Sequence, residues 1–455
     1  MPFPEGFLWG TATAAPQIEG GALDEGRTLS NWDVFSLMPG KVSKGYTPLV
    51  GLDHYHRYKE DVALLADLGV NAYRFSFSWS RILPDGTGRV NEAGLAFYES
   101  LLDELEAKGI EPVATMFHWD LPYALQVKGG WGNRDSIGWF VEYARVLFDR
   151  FGERIKYWTT LNEPIATFVG NAFGFFAPGL TDRKYAYQAL HNLLVAHGEV
   201  VRLFRTYDFQ TAGIGIVVDM WHHEPKDPDS ELDRAVATRE VEVAGYGMIL
   251  EPLCNGRYSD YYLEQLGAEG ILPRIEEGDL ETMSQPLDFH GLNCYSMVFD
   301  SVKEAPKEKA EFLGGNYQDV IIESEGGFGT SLIVFEAMRV NLRILRDRFH
   351  VEIPILITEN GFLETGLPDL ETALHDQGRI DALRNFLDVL ETAIDEDAAN
   401  VRGYFVWTLM DDFEWASGYD LKYGLYHNDF ETQVRTPKDS ARWYKRVVAS
   451  NGADR

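Results

Sequence analysis

"NEAGLAFYESLLDELEAKGIEPVATMFHWD", residues 91–120, contains both parts of the unit from which this fold is built. Leu95, Tyr98, Leu102 and Leu105 fall on one helical stripe, with Asn91 placed to cap the helix and Gly109 to stop it. The run Pro112–Trp119 that follows is short and apolar, strand-like in length, and ends in polar and aromatic residues, His118-Trp119-Asp120. Equivalent runs occur at Phe7–Ala15, Ala72–Trp79, Tyr157–Glu163, Gly213–Met220, Phe289–Ser296, Pro354–Asn360 and Arg402–Leu409. Helical periods lie between them; in "AYQALHNLLVAHGEVVRLF" the stripe is Leu190, Leu193, Leu194, His197, Val201 and Phe204. Eight strands alternating with helices predict an α/β fold, a single closed (β/α)8 barrel over residues 1–455 with no linker. The long Gly- and charge-rich stretches 16–52, 256–288 and 297–328 read as elaborated loops around its mouth.

Composition narrows the function classes. The 71 acidic and 41 basic residues give a net charge of −30, which argues against nucleic acid as a partner. Cys254 and Cys294 are too few for a disulfide framework and suit a reducing compartment. No basic segment followed by an apolar run opens the sequence, and no stretch is apolar enough to span a membrane. A soluble, cytoplasmic protein is expected. Homo-oligomerisation is left open. The 11 Trp and 22 Tyr are more than packing alone usually recruits.

Polar residues gather where the strands end: Gln17, Arg74, His118, Asn162-Glu163, Asn293, Tyr295, Glu359-Asn360 and Trp407. All those ends share one face of a parallel barrel, where sites of this fold are built. Glu163 and Glu359 end the fourth and seventh strands, which lie across the barrel from each other. Two facing carboxyls about 5–5.5 Å apart are what a retaining glycosidase needs, one as nucleophile and one as acid and then base. "VWTLMDDFEW", residues 406–415, places Trp407, Glu414 and Trp415 together, apolar surface for a sugar's C–H face beside an acceptor for its hydroxyls. Arg74, always charged, is suited to depressing the pKa of a neighbouring carboxylate. No HxH or Cys cluster stands at a strand end, so neither metal nor cofactor is expected.

Six motifs resemble, in order, those of glycoside hydrolase family 1, the β-glucosidase family. They are "FLWGTATAAPQIEG" (7–20), "YRFSFSWSRILP" (73–84), "FHWDLP" (117–122), "TLNEP" (160–164), "ITENG" (357–361) and "WTLMDDFEW" (407–415). The resemblance covers essentially the whole chain. It implies Glu163 as acid/base, Glu359 as nucleophile, and Arg74, Asn293 and Tyr295 as support for Glu359. It also implies Asn162 at the sugar's 2-hydroxyl, and Gln17, His118, Trp407, Glu414, Trp415 and Tyr423 around the rest of the ring. The implied substrates are small β-glucosides or cello-oligosaccharides.

Departures from the family pattern bear on specificity. Tyr423 stands where Phe is usual, and Ser331 where many members carry a Trp platform for the leaving group. Members acting on 6-phosphorylated sugars carry Ser at the position of Glu414 and Lys at that of Leu421, so an unphosphorylated sugar is expected. Competing readings are a β-galactosidase or β-fucosidase of the same mechanism, and a catalytically silent sugar-binding barrel. Retention of both carboxylates opposes the silent reading.

Overall fold

Eight parallel strands close into a barrel: β1 (Leu8–Ala12), β2 (Ala72–Ser76), β3 (Glu111–Phe117), β4 (Tyr157–Asn162), β5 (Gly213–Asp219), β6 (His290–Asn293), β7 (Ile355–Asn360) and β8 (Val401–Trp407). Each strand pairs with its sequence neighbours, and β1 closes the ring on β8 with Leu8 opposite Gly403 and Ala12 opposite Trp407. The computed structural model describes residues 3–304, 321–326, 333–367 and 369–455. Ser331 and part of the expected 297–328 loop lie outside these residues.

Alternation along the strands explains why both faces are covered. Tyr73 and Phe75 of β2, and Ile214, Ile216 and Val218 of β5, join the core shared with the surrounding helices. Ala12, Ala72, Val113, Leu356 and Phe405 pack together as a separate cluster inside the barrel. The interior is thus filled, as the fold requires.

The expected helices form, with one difference in how they are held. Leu95, Tyr98, Leu102 and Leu105 are buried on the helix Glu92–Ala107, and Gly109 takes a left-handed φ of +67° just beyond it. Asn91 occupies the cap position without capping; its Nδ2 donates instead to the carbonyls of Glu25 and Arg81, both at 2.9 Å, tying the helix start to two other segments. On the helix Arg183–Phe204 the whole expected stripe is buried, and His197 Nδ1 lies 2.6 Å from Thr160 Oγ1 of β4.

All three stretches expected as loop carry more structure, beginning with the helix Asn31–Ser36 in 16–52. Residues 256–288 contain the helices Asp260–Glu269 and Asp279–Met283. The first begins at a Ser259 cap accepting from the Tyr262 amide at 3.2 Å and ends at Gly270, an amphipathic pattern too short to stand out from its charged surroundings. Within the expected 297–328 loop, Met297–Glu304 forms a strand that pairs with His222–Pro225 in a small three-stranded sheet. His223 contacts Asp300 at 2.7 Å, and His222 the Tyr246 hydroxyl at 2.8 Å. Among the described residues no helix is long and apolar enough to cross a membrane.

Candidate active site

At the C-terminal ends of the strands a cavity of about 410 Å³ opens, with Glu163 and Glu359 both in its wall. Neither carboxylate arrives there by simple alternation. Ile355 and Ile357 of β7 face the helices, so strict alternation would send Glu359 outward as well. A register irregularity between Ile357 and Glu359 turns it inward. A similar irregularity between Thr159 and Asn162 does the same for Asn162 on β4. Glu163 then leaves the strand at φ +42°, a left-handed conformation uncommon for a non-glycine residue. Trp119 (φ +75°) and Trp415 (φ +49°), which also line the cavity, share this conformation.

The layer beneath the cavity is a hydrogen-bonded network whose polarity is fixed by its charged and hydroxyl members. Arg74 Nη1 donates to Glu359 Oε1 at 2.6 Å, and Tyr295 donates to Glu359 Oε2 at 2.7 Å. The other arm of the guanidinium donates to Asn162 Oδ1 at 2.6 Å, so the Asn162 amide nitrogen must face His118 Nε2, 3.0 Å away. Nε2 is therefore the acceptor, and His118 carries its proton on Nδ1. Burial and the Arg74 charge hold the imidazole neutral. Thr358 donates to Asn293 Oδ1 at 2.7 Å, which turns the Asn293 amide nitrogen toward Glu163 Oε1 at 2.7 Å and Asn162 Oδ1 at 3.2 Å. One network thus links both carboxylates.

The segment after β8 forms the opposite wall. Trp407, Glu414, Trp415 and Tyr423 all line the cavity. Gln17 Nε2 donates to the Phe413 carbonyl at 2.9 Å and reaches Glu414 Oε2 at 3.5 Å. Trp415 packs between Trp119 (4.4 Å between ring centroids) and Trp32 (4.7 Å). Gly361 of the "ITENG" motif passes so close to Trp407 that a Cβ there would lie 2.2 Å from its carbonyl oxygen. Only glycine lets the two segments meet.

The Glu414 segment is anchored by an ion pair with no solvent access. Lys438 Nζ lies 2.8 Å from Asp411 Oδ1, which also accepts from the Gly424 amide at 2.9 Å. Lys438→Met should leave the Asp411 charge buried without its cation and cost about 3–5 kcal/mol of stability, read as a lower urea midpoint at unchanged slope. A loss below about 1 kcal/mol would mean that the remaining donors suffice.

Electrostatics separate the two catalytic candidates. Burial pushes Glu163 far above the usual carboxylate range, and the charges of Asp219 and Glu359 push it further. Burial also raises Glu359, but Arg74 and the Tyr295 hydroxyl pull it back. Arg74 lowers Glu359, as expected from the sequence, but the net shift is upward because desolvation outweighs the guanidinium. The order still follows from the partners. Glu359, with a cation and a phenol, holds the negative charge; Glu163, with a neutral amide and two neighbouring carboxyls, holds the proton.

His118, Glu163, Tyr295, Glu359, Trp407, Glu414, Trp415 and Tyr423 line the cavity, and Gln17, Arg74, Asn162 and Asn293 stand in the hydrogen-bonded network behind it. Asp219 at the end of β5 was missed, although the strand-end rule that found the others points to it equally. Asp412 is buried against Gln17 and Thr408. Trp119 seals the floor by donating to the Asn162 carbonyl at 2.8 Å.

The family description "Glycosyl hydrolase family 1" matches residues 1–453, and the chain belongs to that family. It is 43% identical over 456 residues to Beta-glucosidase A of Thermotoga maritima, covering 99% of each chain. It is 42% identical over 451 residues to 1,4-beta-D-glucan glucohydrolase of Thermotoga neapolitana, again covering 99% of each. The solved structure of a family 1 β-glucosidase from Thermotoga maritima superposes with a TM-score of 0.91 at 41% identity, covering 100% of this chain and 99% of that one.

Proposed function

We propose that this chain is a retaining β-glucosidase that releases the terminal β-D-glucosyl residue of short β-glucosides or cello-oligosaccharides by double displacement. The observation that carries the mechanism is the unequal setting of the two carboxylates: among the described residues, Arg74 and Tyr295 donate to Glu359 and the neutral Asn293 amide to Glu163. Glu359 attacks the anomeric carbon while Glu163 protonates the departing oxygen, giving a covalent glycosyl-enzyme. Esterification removes the Glu359 charge, and that lowers the proton affinity of Glu163. Glu163 can then take a proton from the attacking water. Asn162, oriented by Arg74, bonds the sugar's 2-hydroxyl as oxocarbenium character develops. We assign residues 1–455 to one catalytic unit acting in the cytoplasm, supported by strands drawn from the whole chain and by two free cysteines.

Glucose recognition falls to Trp407, Gln17 and Glu414. Burial and the Glu359 charge raise Glu414 to about 8, while the Trp407 and Gln17 side chains hydrogen-bond to it. Below that pH an empty site holds Glu414 largely protonated, so the carboxyl can donate to one hydroxyl and accept from another. Among the described residues a 6-phosphate meets no compensating cation here: Leu421 is apolar, and Lys422 Nζ sits 4.4 Å over the Phe430 ring. Nitrophenyl β-D-glucoside should be turned over with a kcat/KM at least about two orders of magnitude above that of its 6-phosphate. Glu414→Ser should depress the glucoside value without producing a good phosphoglucosidase. Equal wild-type values, or an undiminished variant, would remove Glu414 from the sugar site. Galactoside and fucoside analogues in the same assay separate the glucosidase reading from its two sister activities.

A further inference from the structure

Asp219 is a carboxyl group of the cavity that this mechanism leaves unused. Ile214, Ile216 and Val218 of β5 face the helices, so Asp219 faces inward, and it lines the same cavity as Glu163 and Glu359. It stands directly opposite Asn293 in the β5–β6 register, and Asn293 is the residue whose amide holds Glu163 at 2.7 Å. From the other side, the Glu163 amide donates to the carbonyl of Val217, also on β5, at 2.9 Å. Asp219 is 8% exposed, and among the described residues its Oδ1 has no hydrogen-bond partner. A buried carboxyl that supports no neighbour through that oxygen is poorly explained as a structural group.

Its surroundings define what its charge can act on. Glu163 is faced by Asp219 from β5, Glu359 from β7 and Arg74 from β2, with the neutral Asn293 from β6. Tyr295 and Tyr423 add protonated phenols to the wall, Glu414 from the segment after β8 adds a further carboxyl, and His118 beyond β3 is neutral. The guanidinium is committed to Glu359 and Asn162. Negative charge on Asp219 is therefore poorly compensated at Glu163.

Resting on the assignment of Glu163 as acid/base, we propose that Asp219 is a positioning residue whose carboxylate keeps the acid proton on Glu163 in the free enzyme and extends activity toward alkaline pH. Burial raises Asp219 itself to about 7, so its charge is present over the alkaline range where the proton must be retained. The sign follows directly: removing a neighbouring negative charge makes Glu163 a stronger acid, and the alkaline limb of kcat/KM moves down.

The test is the pH dependence of kcat/KM for cellobiose in the wild type, Asp219→Asn and Asp219→Glu, with Glu163→Gln as control. Asp219→Asn should move the alkaline limb down by about one pH unit while the acidic plateau stays within about threefold. Asp219→Glu, which keeps the charge, should leave the limb near its wild-type position. An unmoved limb in Asp219→Asn, or an equal shift in both variants, overturns the proposal. If Asp219→Asn fails to fold, Asp219→Ser provides the uncharged arm under the same criteria. The control separates the two levels: a limb lost in Glu163→Gln but unmoved in Asp219→Asn rejects Asp219 alone. A limb that persists in Glu163→Gln rejects the acid/base assignment itself.

Discussion

Glu359→Gly should lower hydrolysis of β-glucosides by at least about four orders of magnitude, and azide or formate should restore turnover with an α-linked product. On the proposed mechanism, removing the side chain eliminates the nucleophile, so no glycosyl-enzyme forms. Its two donors remain. Arg74 Nη1 and the Tyr295 hydroxyl, which meet the carboxylate at 2.6 and 2.7 Å, would then face a space the size of a small anion. An anion held there lies on the face of the sugar opposite the leaving group, so a single displacement inverts the β-linkage. A dinitrophenyl glucoside is the substrate of choice, since its leaving group departs without protonation. Near-normal hydrolysis by the variant without added anion, or a β-configured azide product, would show that Glu359 is not the attacking group.

Glu163→Gln should divide substrates by the basicity of their leaving groups. Cellobiose, whose departing sugar oxygen must be protonated, should lose about three to four orders of magnitude in kcat/KM, whereas a dinitrophenyl glucoside should keep most of its first-step rate. Glutamine is the apt replacement because its Oε1 can still accept from Asn293 Nδ2, the 2.7 Å contact that holds Glu163 in the wild type. Loss of the alkaline limb should accompany the loss on cellobiose. Equal losses on both substrates would instead mark Glu163 as a structural group.

The barrel was legible because its signals are local. Period-two apolar runs on β2 and β5, the stripe Leu95–Leu105, and polar residues held back to the strand ends all arise from neighbours in the chain. The motifs around Glu163, Glu359 and Trp407–Trp415 were readable for the same reason. The helix Asp260–Glu269 was hidden because a short amphipathic turn amid charged residues is marginal until it packs.

Other features of the site depended on contacts that no local pattern encodes. Irregular registers on β4 and β7 turn Asn162 and Glu359 into the barrel, and a slip of one residue in a period-two element reverses which side chains face inward. Amide orientations at Asn162 and Asn293 are imposed by Arg74 and Thr358, which come from other strands. The net proton affinity of Glu359 follows burial more than the cation that the motifs supply, and Asp219 matters only because β5 brings it beside the Asn293 that holds Glu163. Residue identity and spacing determined which groups this protein carries to the mouth of its barrel. Only the tertiary structure decided which of them keeps a proton, because desolvation and through-space charge depend on what surrounds a group in space rather than on its neighbours in the chain.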